Sequence, residues 1–359
     1  MTPKIYTVVV ALTLSGLAAR TQTRPITDAE ALEFGHRLEA CFNNSDSNGI
    51  DRLLSREGML ERIRERSHAL SDPGYFGKYR EGFMSAQGSF GSTFVRSIKR
   101  GNCRLLKEFT DKGTPHLFIR LFGAGGLDYD EFSLVRTGDS VRWADISAYS
   151  TEEWVSVGIA RLTDIAYKSN APVADLGVVL KMGQQMRSQD YAGVKATYEQ
   201  IAKEYQGIKM IKLMYVHACH HIDNGLYEKA LVEYVTAFPD AASGYLMMLD
   251  LYWLLKDYDK MLAAIDKLDK LIGGDPLLDL YRGNALAALA KTSESLGCYE
   301  RLYRYDPSVT INSLKLARLY AAAGETDKAK AVVTGYKNTG VYREGDLDAL
   351  YTKYPALKE

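Results

Sequence analysis

The sequence predicts an α+β unit, with helices and a curved antiparallel sheet, followed by an all-α solenoid of repeated helix pairs. Two observations lead to this prediction. Apolar residues follow a helical spacing before Gly101 and form short, strand-like runs after it. Near the C-terminus, equivalent residues recur at an interval of 34 positions, a length that suits one stacking helix pair. Two such series are Leu249, Gly283, Ala317 and Tyr252, Leu286, Tyr320.

The first residues have the order of an export signal. Lys4 supplies a positive charge, residues 5–17 form a mostly apolar run, and residues 16–18 have the small-x-small form of a cleavage site. The apolar run is too short to span a bilayer. We therefore predict that residues 1–19 are a signal peptide and that the mature chain is periplasmic or secreted. A buried N-terminal strand through residues 8–10 is the alternative.

Composition narrows the classes of partner. The chain of 359 residues carries 45 basic and 45 acidic side chains, so its net charge does not attract nucleic acid or an anionic membrane. No later stretch is apolar and long enough to predict a transmembrane segment. An even number of cysteines permits disulfides in an exported chain, but each one sits alone in an apolar segment, which favours buried free thiols. They are Cys41, Cys103, Cys219 and Cys298.

Residues 26–150 form the predicted α+β unit. Thr27 and Glu30 have the spacing of a capping box, and Pro73 with Gly74 separates the second of three predicted helices from the third. Glycine-containing turns then separate four strand-like runs, and one of these turns lies at residues 123–126. The four runs are residues 103–110, 116–122, 127–136 and 140–148.

Helices placed before a curved sheet that ends in a hairpin, here residues 132–146, resemble the nuclear transport factor 2-like (cystatin-like) cone fold. The resemblance implies a cone that some members use for acid–base catalysis and many use only for binding or dimerisation. A catalytic base in the cone would need a pKa tuned by burial. We favour solvated strand ends over a catalytic set for the candidate residues. They are His116, Asp128, Tyr129, Asp130 and Asp145.

Residues 151–172 are predicted to be a helical linker, and residues 173–359 a solenoid of about five helix pairs with a terminal helix at residues 347–354. The second helix of each pair carries a small or apolar residue at an equivalent position. This pattern resembles tetratricopeptide repeat proteins, although Arg282 and His217 replace apolar core residues and Ser295 replaces the usual alanine. The resemblance implies a stack with a concave surface that binds proteins or peptides. The equivalent positions are Val194, Ala230, Met261, Ser295 and Ala329.

One histidine cluster has the spacing of metal ligands. His217 and His221 are four residues apart and would share a face of a helix. No glutamate accompanies them in the arrangement of a zinc enzyme, and the repeat pattern places both at core positions. We therefore predict packed core histidines rather than a zinc or copper site, and we predict no metal and no cofactor.

The predicted functional surface is a partner-binding groove on the first helices of the repeats. Polar and aromatic side chains share its columns, and such a mixture can hold an extended peptide. We predict a non-enzymatic scaffold that binds a protein or peptide. The alternative is a small-ligand enzyme or ligand-binding module that uses the N-terminal cone. The predicted groove residues are Tyr215, Asp250, Trp253, Asn284 and Arg318.

Overall fold

A computed structural model describes residues 24–85, 90–98, 101–123, 126–168, 174–201, 203–239 and 242–358. The predicted signal peptide lies outside these residues, and so does most of the predicted boundary between the linker and the repeats. Within the described residues, an N-terminal group of helices precedes an antiparallel sheet, and paired helices follow. The predicted order of an α+β unit and an all-α region is confirmed.

The N-terminal helices are more numerous than predicted. The capping box is confirmed: the Thr27 hydroxyl accepts a hydrogen bond from the Glu30 amide, and Glu30 accepts one from the Thr27 amide. Side chains of Asp46 and Ser55 cap two further helices, which divides one predicted helix into two. The helices are α1 Asp28–Asn43, α2 Ser47–Arg52, α3 Arg56–Arg66, α4 Pro73–Ser85 and α5 Phe90–Ile98, with a 3-10 turn at Ala69–Ser71.

The sheet is a simple antiparallel meander, in which each strand pairs with the next. The four predicted strands are confirmed, and a fifth strand of two residues follows where a helix was predicted. The chain turns back at Glu152, whose φ of 51° is left-handed, and pairs with β4 before the helix begins. The elements are β1 Asn102–Asp111, β2 Thr114–Gly123, β3 Gly126–Thr137, β4 Ser140–Ala148, β5 Glu153–Trp154 and α6 Val155–Lys168.

One face of the sheet packs on the N-terminal helices. Leu117, Ile119 and Leu121 alternate along β2 and contribute to this core. Aromatic rings fill its centre: Phe132 meets Phe42 and Trp143 edge to face, with ring centroids 6.2 Å and 5.6 Å apart. Aromatic side chains of the helices and the sheet therefore fill the centre of this core.

The C-terminal region consists, in its described part, of five helix pairs and a terminal helix, as predicted, and this arrangement fits a tetratricopeptide array. The small or apolar residues predicted at the helix contacts, from Val194 to Ala329, are all buried. The pairs are α7 Ala174–Arg187 with α8 Tyr191–Gln200, α10 Lys209–Ile222 with α11 Asn224–Ala237, α12 Ala242–Leu254 with α13 Tyr258–Ile272, α14 Leu278–Ala288 with α15 Thr292–Tyr305, and α16 Thr310–Ala322 with α17 Thr326–Lys337; short helices are α9 Lys203–Gln206, α18 Asp348–Lys353 and a 3-10 turn Pro355–Leu357.

The second face of the sheet packs on the repeats. Phe118 and Tyr129 share a buried cluster with Leu246, Leu249 and Leu278 of the repeat helices. A fully buried ion pair joins the same surfaces. The Arg120 Nη1 lies 2.8 Å from the Asp275 Oδ1, and the Tyr129 hydroxyl donates to the other oxygen of Asp275 at 2.9 Å. The sheet is therefore covered by protein on both sides.

Candidate functional site

The residues of the predicted groove differ in accessibility. Asp250, Trp253 and Arg318 are exposed, and Asn284 is half-buried. Tyr215 is only 8% exposed, because its ring stacks on Tyr198 with centroids 4.0 Å apart. Tyr215 thus contributes to the helix packing, and the other four residues are the ones within reach of a partner.

The four accessible residues lie in the first helices of three successive repeats. The Asp250 carboxylate accepts a hydrogen bond from the Tyr227 hydroxyl at 2.8 Å, and the Asn284 side-chain oxygen accepts one from Tyr299 at 2.9 Å. Trp253 is 46% exposed and stands 5.6 Å from the ring of Tyr258. We call Asp250, Trp253, Asn284 and Arg318 the groove surface.

The sheet covers a different part of the repeats. The Ser243 amide, near the start of α12, donates to Glu152 at 2.8 Å, and Lys209, at the start of α10, pairs with Glu152 at 2.7 Å. Asp275 lies in the loop that leads into α14. These three polar contacts lie at the beginnings of first helices or in the loop before one, whereas Asp250 and Trp253 lie near the end of α12.

The N-terminal candidates are not solvated strand ends, so that prediction is wrong. His116 is 6% exposed, Asp130 is 3% exposed, and Tyr129 and Asp145 are fully buried. The alternation of residues along a strand does not show that both faces of the sheet are buried. Here helices cover one face and the repeats cover the other. His116 packs between the rings of Phe109 and Trp154, and its Nδ1 lies 2.8 Å from Glu131 without the angle of a hydrogen bond.

Asp145 and Tyr129 have structural partners. The Asp145 carboxylate pairs with Arg66 at 2.6 Å and accepts hydrogen bonds from the Ser156 hydroxyl and amide at the start of α6. The Tyr129 hydroxyl is bound to Asp275, and burial followed by the charge of Asp275 raises the pKa of the Tyr129 phenol well above its usual range. Both side chains hold neighbouring elements together.

Asp128 and Asp130 form a pair of carboxyl groups on one face of β3. The Asp128 carboxylate accepts hydrogen bonds from the Ser150 hydroxyl at 2.6 Å and from the Ser150 amide at 3.1 Å. Asp130 lies opposite Ile119 in the sheet and has no hydrogen-bond partner among the described residues. Burial, and then the neighbouring charge of Asp128, raises the pKa of Asp130 well above its usual range.

The histidine cluster is exposed, so the prediction of core histidines is wrong. His217, His220 and His221 all lie on the accessible side of α10. The ring of Tyr191 stacks on His221 with centroids 4.2 Å apart. Neighbouring side chains cover part of each ring, and this partial desolvation, together with the neighbouring histidines, lowers the pKa of His217 and of His221. No group of three potential metal ligands occurs within the described part of the chain.

Two further observations concern the cysteines and the length of the apolar helices. All four cysteines are free thiols, as predicted, and three of them are buried. Among the described residues, no helix is both long and apolar enough to cross a membrane.

The chain has few similarities to known proteins. No protein-family model matches it, and no curated protein matches it. The solved structures that are similar include "MamA MSR-1 C2", which is 14% identical with a TM-score of 0.37 over 46% of this chain and 95% of that one. Another, "MamA AMB-1 P212121", is 15% identical with a TM-score of 0.36 over 49% of this chain and 98% of that one.

Proposed function

We propose that this protein is an exported, non-enzymatic scaffold that binds a protein or peptide on the groove surface. The observation that carries the proposal is the exposed Trp253. An indole ring that is 46% exposed on an otherwise well-packed helix leaves apolar area in water, and aromatic residues of this kind dominate binding hot spots. Asp250 and Arg318 add opposite charges on equivalent helices.

The chemistry of the surface defines the expected partner. Ile222 ends the first helix of the preceding repeat and is 39% exposed, so the corresponding helix end there also carries an exposed apolar side chain. Asn284 presents an amide between the charged positions Asp250 and Arg318. The surface suits a segment with one large apolar side chain flanked by polar or charged residues, held by side-chain contacts.

The aromatic filling of the N-terminal core supports a non-enzymatic role. Phe42, Phe132 and Trp143 occupy the interior that a catalytic cone would need for its substrate. The alternative of an enzyme or a ligand-binding module rests on the half-buried Asp128 and the buried Asp130, whose pKa values are both raised. This alternative also requires that the N-terminal unit is a member of the nuclear transport factor 2-like family and has that family's cone-shaped pocket.

Export is the second element of the proposal and has its own test. It rests on the charged, apolar and small residues of positions 4–18. N-terminal sequencing of the native protein should begin near residue 19. A native chain that begins at Met1 or Thr2 contradicts export and leaves the binding proposal intact.

The binding proposal is tested with matched double variants. Trp253→Ala with Arg318→Ala removes the two side chains expected to contribute most, at roughly 2 kcal/mol each. Leu271→Ala with Arg304→Ala removes an exposed apolar residue and an exposed arginine from the second helices α13 and α15. Partners recovered from the envelope fraction by the wild-type chain are quantified against both variants, and each recovered partner is then titrated.

The expected result is a partner that the control variant retains and the groove variant loses, with circular dichroism unchanged in both. Equal recovery by the folded groove variant moves the binding site away from the groove surface. In that case, the Asp128 and Asp130 pair becomes the next site to test, through Asp130→Asn and the binding of small molecules to the N-terminal unit.

A further inference from the structure

A second candidate site lies in the N-terminal unit, between α1, α2 and β4. A cavity of about 300 Å³ opens there, and three arginines from these three elements line it: Arg37, Arg52 and Arg142. None of the residues that line it is acidic, although acidic and basic side chains balance over the whole chain. We call this space the arginine cavity; its other lining residues are Cys41, Gly49, Leu53, Ser140 and Val141.

The charges of the three guanidinium groups are poorly neutralised. Arg37 has no hydrogen bond or ion pair among the described residues. Arg142 donates through Nη1 to the backbone carbonyl of Arg52, a contact that fixes its position without neutralising it. Arg52 pairs with Asp46 at 3.3 Å, but the two side chains are 71% and 43% exposed, and pairs so accessible to solvent contribute little.

We propose that the arginine cavity binds a phosphate group. Guanidinium groups present a planar fork of N–H donors that matches the oxygens of phosphate, and this pairing is stronger than a neutral hydrogen bond. Three positive groups around one cavity repel one another in the empty protein, and a dianion relieves this repulsion. The volume of about 300 Å³ has room for a phosphate with a small attached group.

Cys41 provides an independent reporter of occupancy. It follows Arg37 by one helical turn on α1, lines the cavity and is partly exposed, whereas Cys103, Cys219 and Cys298 are buried. A phosphate held by the arginines would block access to this thiol and disfavour its thiolate. Labelling of Cys41 by a neutral thiol reagent should therefore slow down when the cavity is filled.

The test is calorimetric titration of the full mature chain with inorganic phosphate and with pyrophosphate. The wild type is compared with Arg37→Gln, Arg52→Gln and Arg142→Gln. Arg304→Gln removes an exposed arginine far along the repeats and is the matched control. Arg142→Lys keeps the charge and removes the fork, and thermal melts verify that each variant is folded.

The expected result is saturable binding that each Arg→Gln change in the cavity weakens by about tenfold or more, as for a lost charge-assisted hydrogen bond. Arg142→Lys should lose less, Arg304→Gln should not differ from wild type, and phosphate should slow the labelling of Cys41. Absence of saturable heat with both anions at millimolar concentrations overturns the proposal. Equal affinity in folded Arg37→Gln and Arg142→Gln variants also overturns it.

A further arm separates two sources of the phosphate group. Wild-type protein and Arg142→Gln are sedimented with phosphatidylcholine vesicles that contain phosphatidic acid. If the wild type co-sediments with these vesicles and Arg142→Gln does not, the site binds a lipid headgroup. Phosphate binding in solution without co-sedimentation assigns it to a soluble phosphate compound.

Discussion

The sheet and the repeats use charged residues in opposite ways. Arg120 of β2 is fully buried and pairs with a fully buried Asp275, whereas Arg282 of α14 remains partly exposed and pairs with three aspartates on the repeat surface. The outer face of the sheet is covered by residues far away in sequence, whereas the ion pairs of Arg282 stay within neighbouring helices of the repeats. The same ion-pair chemistry therefore serves as a structural bond in one place and as a weak surface contact in the other.

This comparison bears on how the two regions fold. Their sequence patterns differ, and the sequence alone predicts two units that fold separately. The outer face of the sheet, with Phe118 and Tyr129, shares its core with Leu246 and Leu249 of α12. We therefore expect the two regions to unfold together, and the junction to be the place where a single substitution separates them.

The largest effect is expected at the buried ion pair. Asp275→Asn should lower the free energy of unfolding by about 3–5 kcal/mol, because it leaves the buried Arg120 without its main counter-charge. Asp266→Asn removes a partner of Arg282 that is 65% exposed and should cost less than about 1 kcal/mol. Urea denaturation of both variants provides the comparison. Similar losses in the two variants would show that the junction is not the stronger contact.

A smaller effect is expected inside the repeats. A Cβ added at Gly283 would lie 2.5 Å from the Tyr299 ring, so Gly283→Ala should destabilise the protein by roughly 1–3 kcal/mol through overpacking. Gly297 is also helical, but its added Cβ has ordinary contacts, and Gly297→Ala should stabilise by about 0.5–1 kcal/mol. Thermal melts measure both, and a reversed order would mean that α14 and α15 do not approach closely at Gly283.

Replacing Asp130 in the core of the N-terminal unit is expected to increase stability and to change its dependence on pH. The pKa of Asp130 is raised in the folded state, so the folded protein retains a proton that the unfolded chain releases. Stability should therefore fall as pH rises from the ordinary aspartate pKa towards the raised value. Asp130→Asn should remove this slope and add roughly 1–3 kcal/mol at neutral pH, as for an unsatisfied buried group that is neutralised. Melts between pH 4 and pH 8 provide the test, and equal slopes in both proteins contradict it.

The smallest effect is expected on the groove surface. Trp253→Ala should change the free energy of unfolding by no more than about 0.5 kcal/mol, because the ring is exposed. The measurement is urea denaturation in the absence of a partner. A large loss of stability would show that Trp253 belongs to the core, and it would remove the main support for binding at the groove surface.

The sequence by itself determined the parts that depend on local spacing. The capping box at Thr27, the four main strands and the buried positions from Val194 to Ala329 follow from periodicity, because helices and strands impose fixed spacings on the side chains that face a core. The sequence also shows that Ser295 and Arg282 depart from the repeat pattern, but it does not show which contacts these side chains make. The Ser295 hydroxyl donates to the Gly283 carbonyl at 2.8 Å, and Arg282 pairs with aspartates on α13 and α14.

Only the tertiary structure decided which surfaces are covered. It buried His116 and Asp130, exposed His217 and His221, and brought Arg120 to Asp275 across 155 positions. It also assembled Arg37 and Arg52 around one cavity with Arg142, which lies 90 positions after Arg52. Sequence periodicity shows which side chains share a face of an element. It does not show what packs on that face, because the covering element can come from any distance along the chain.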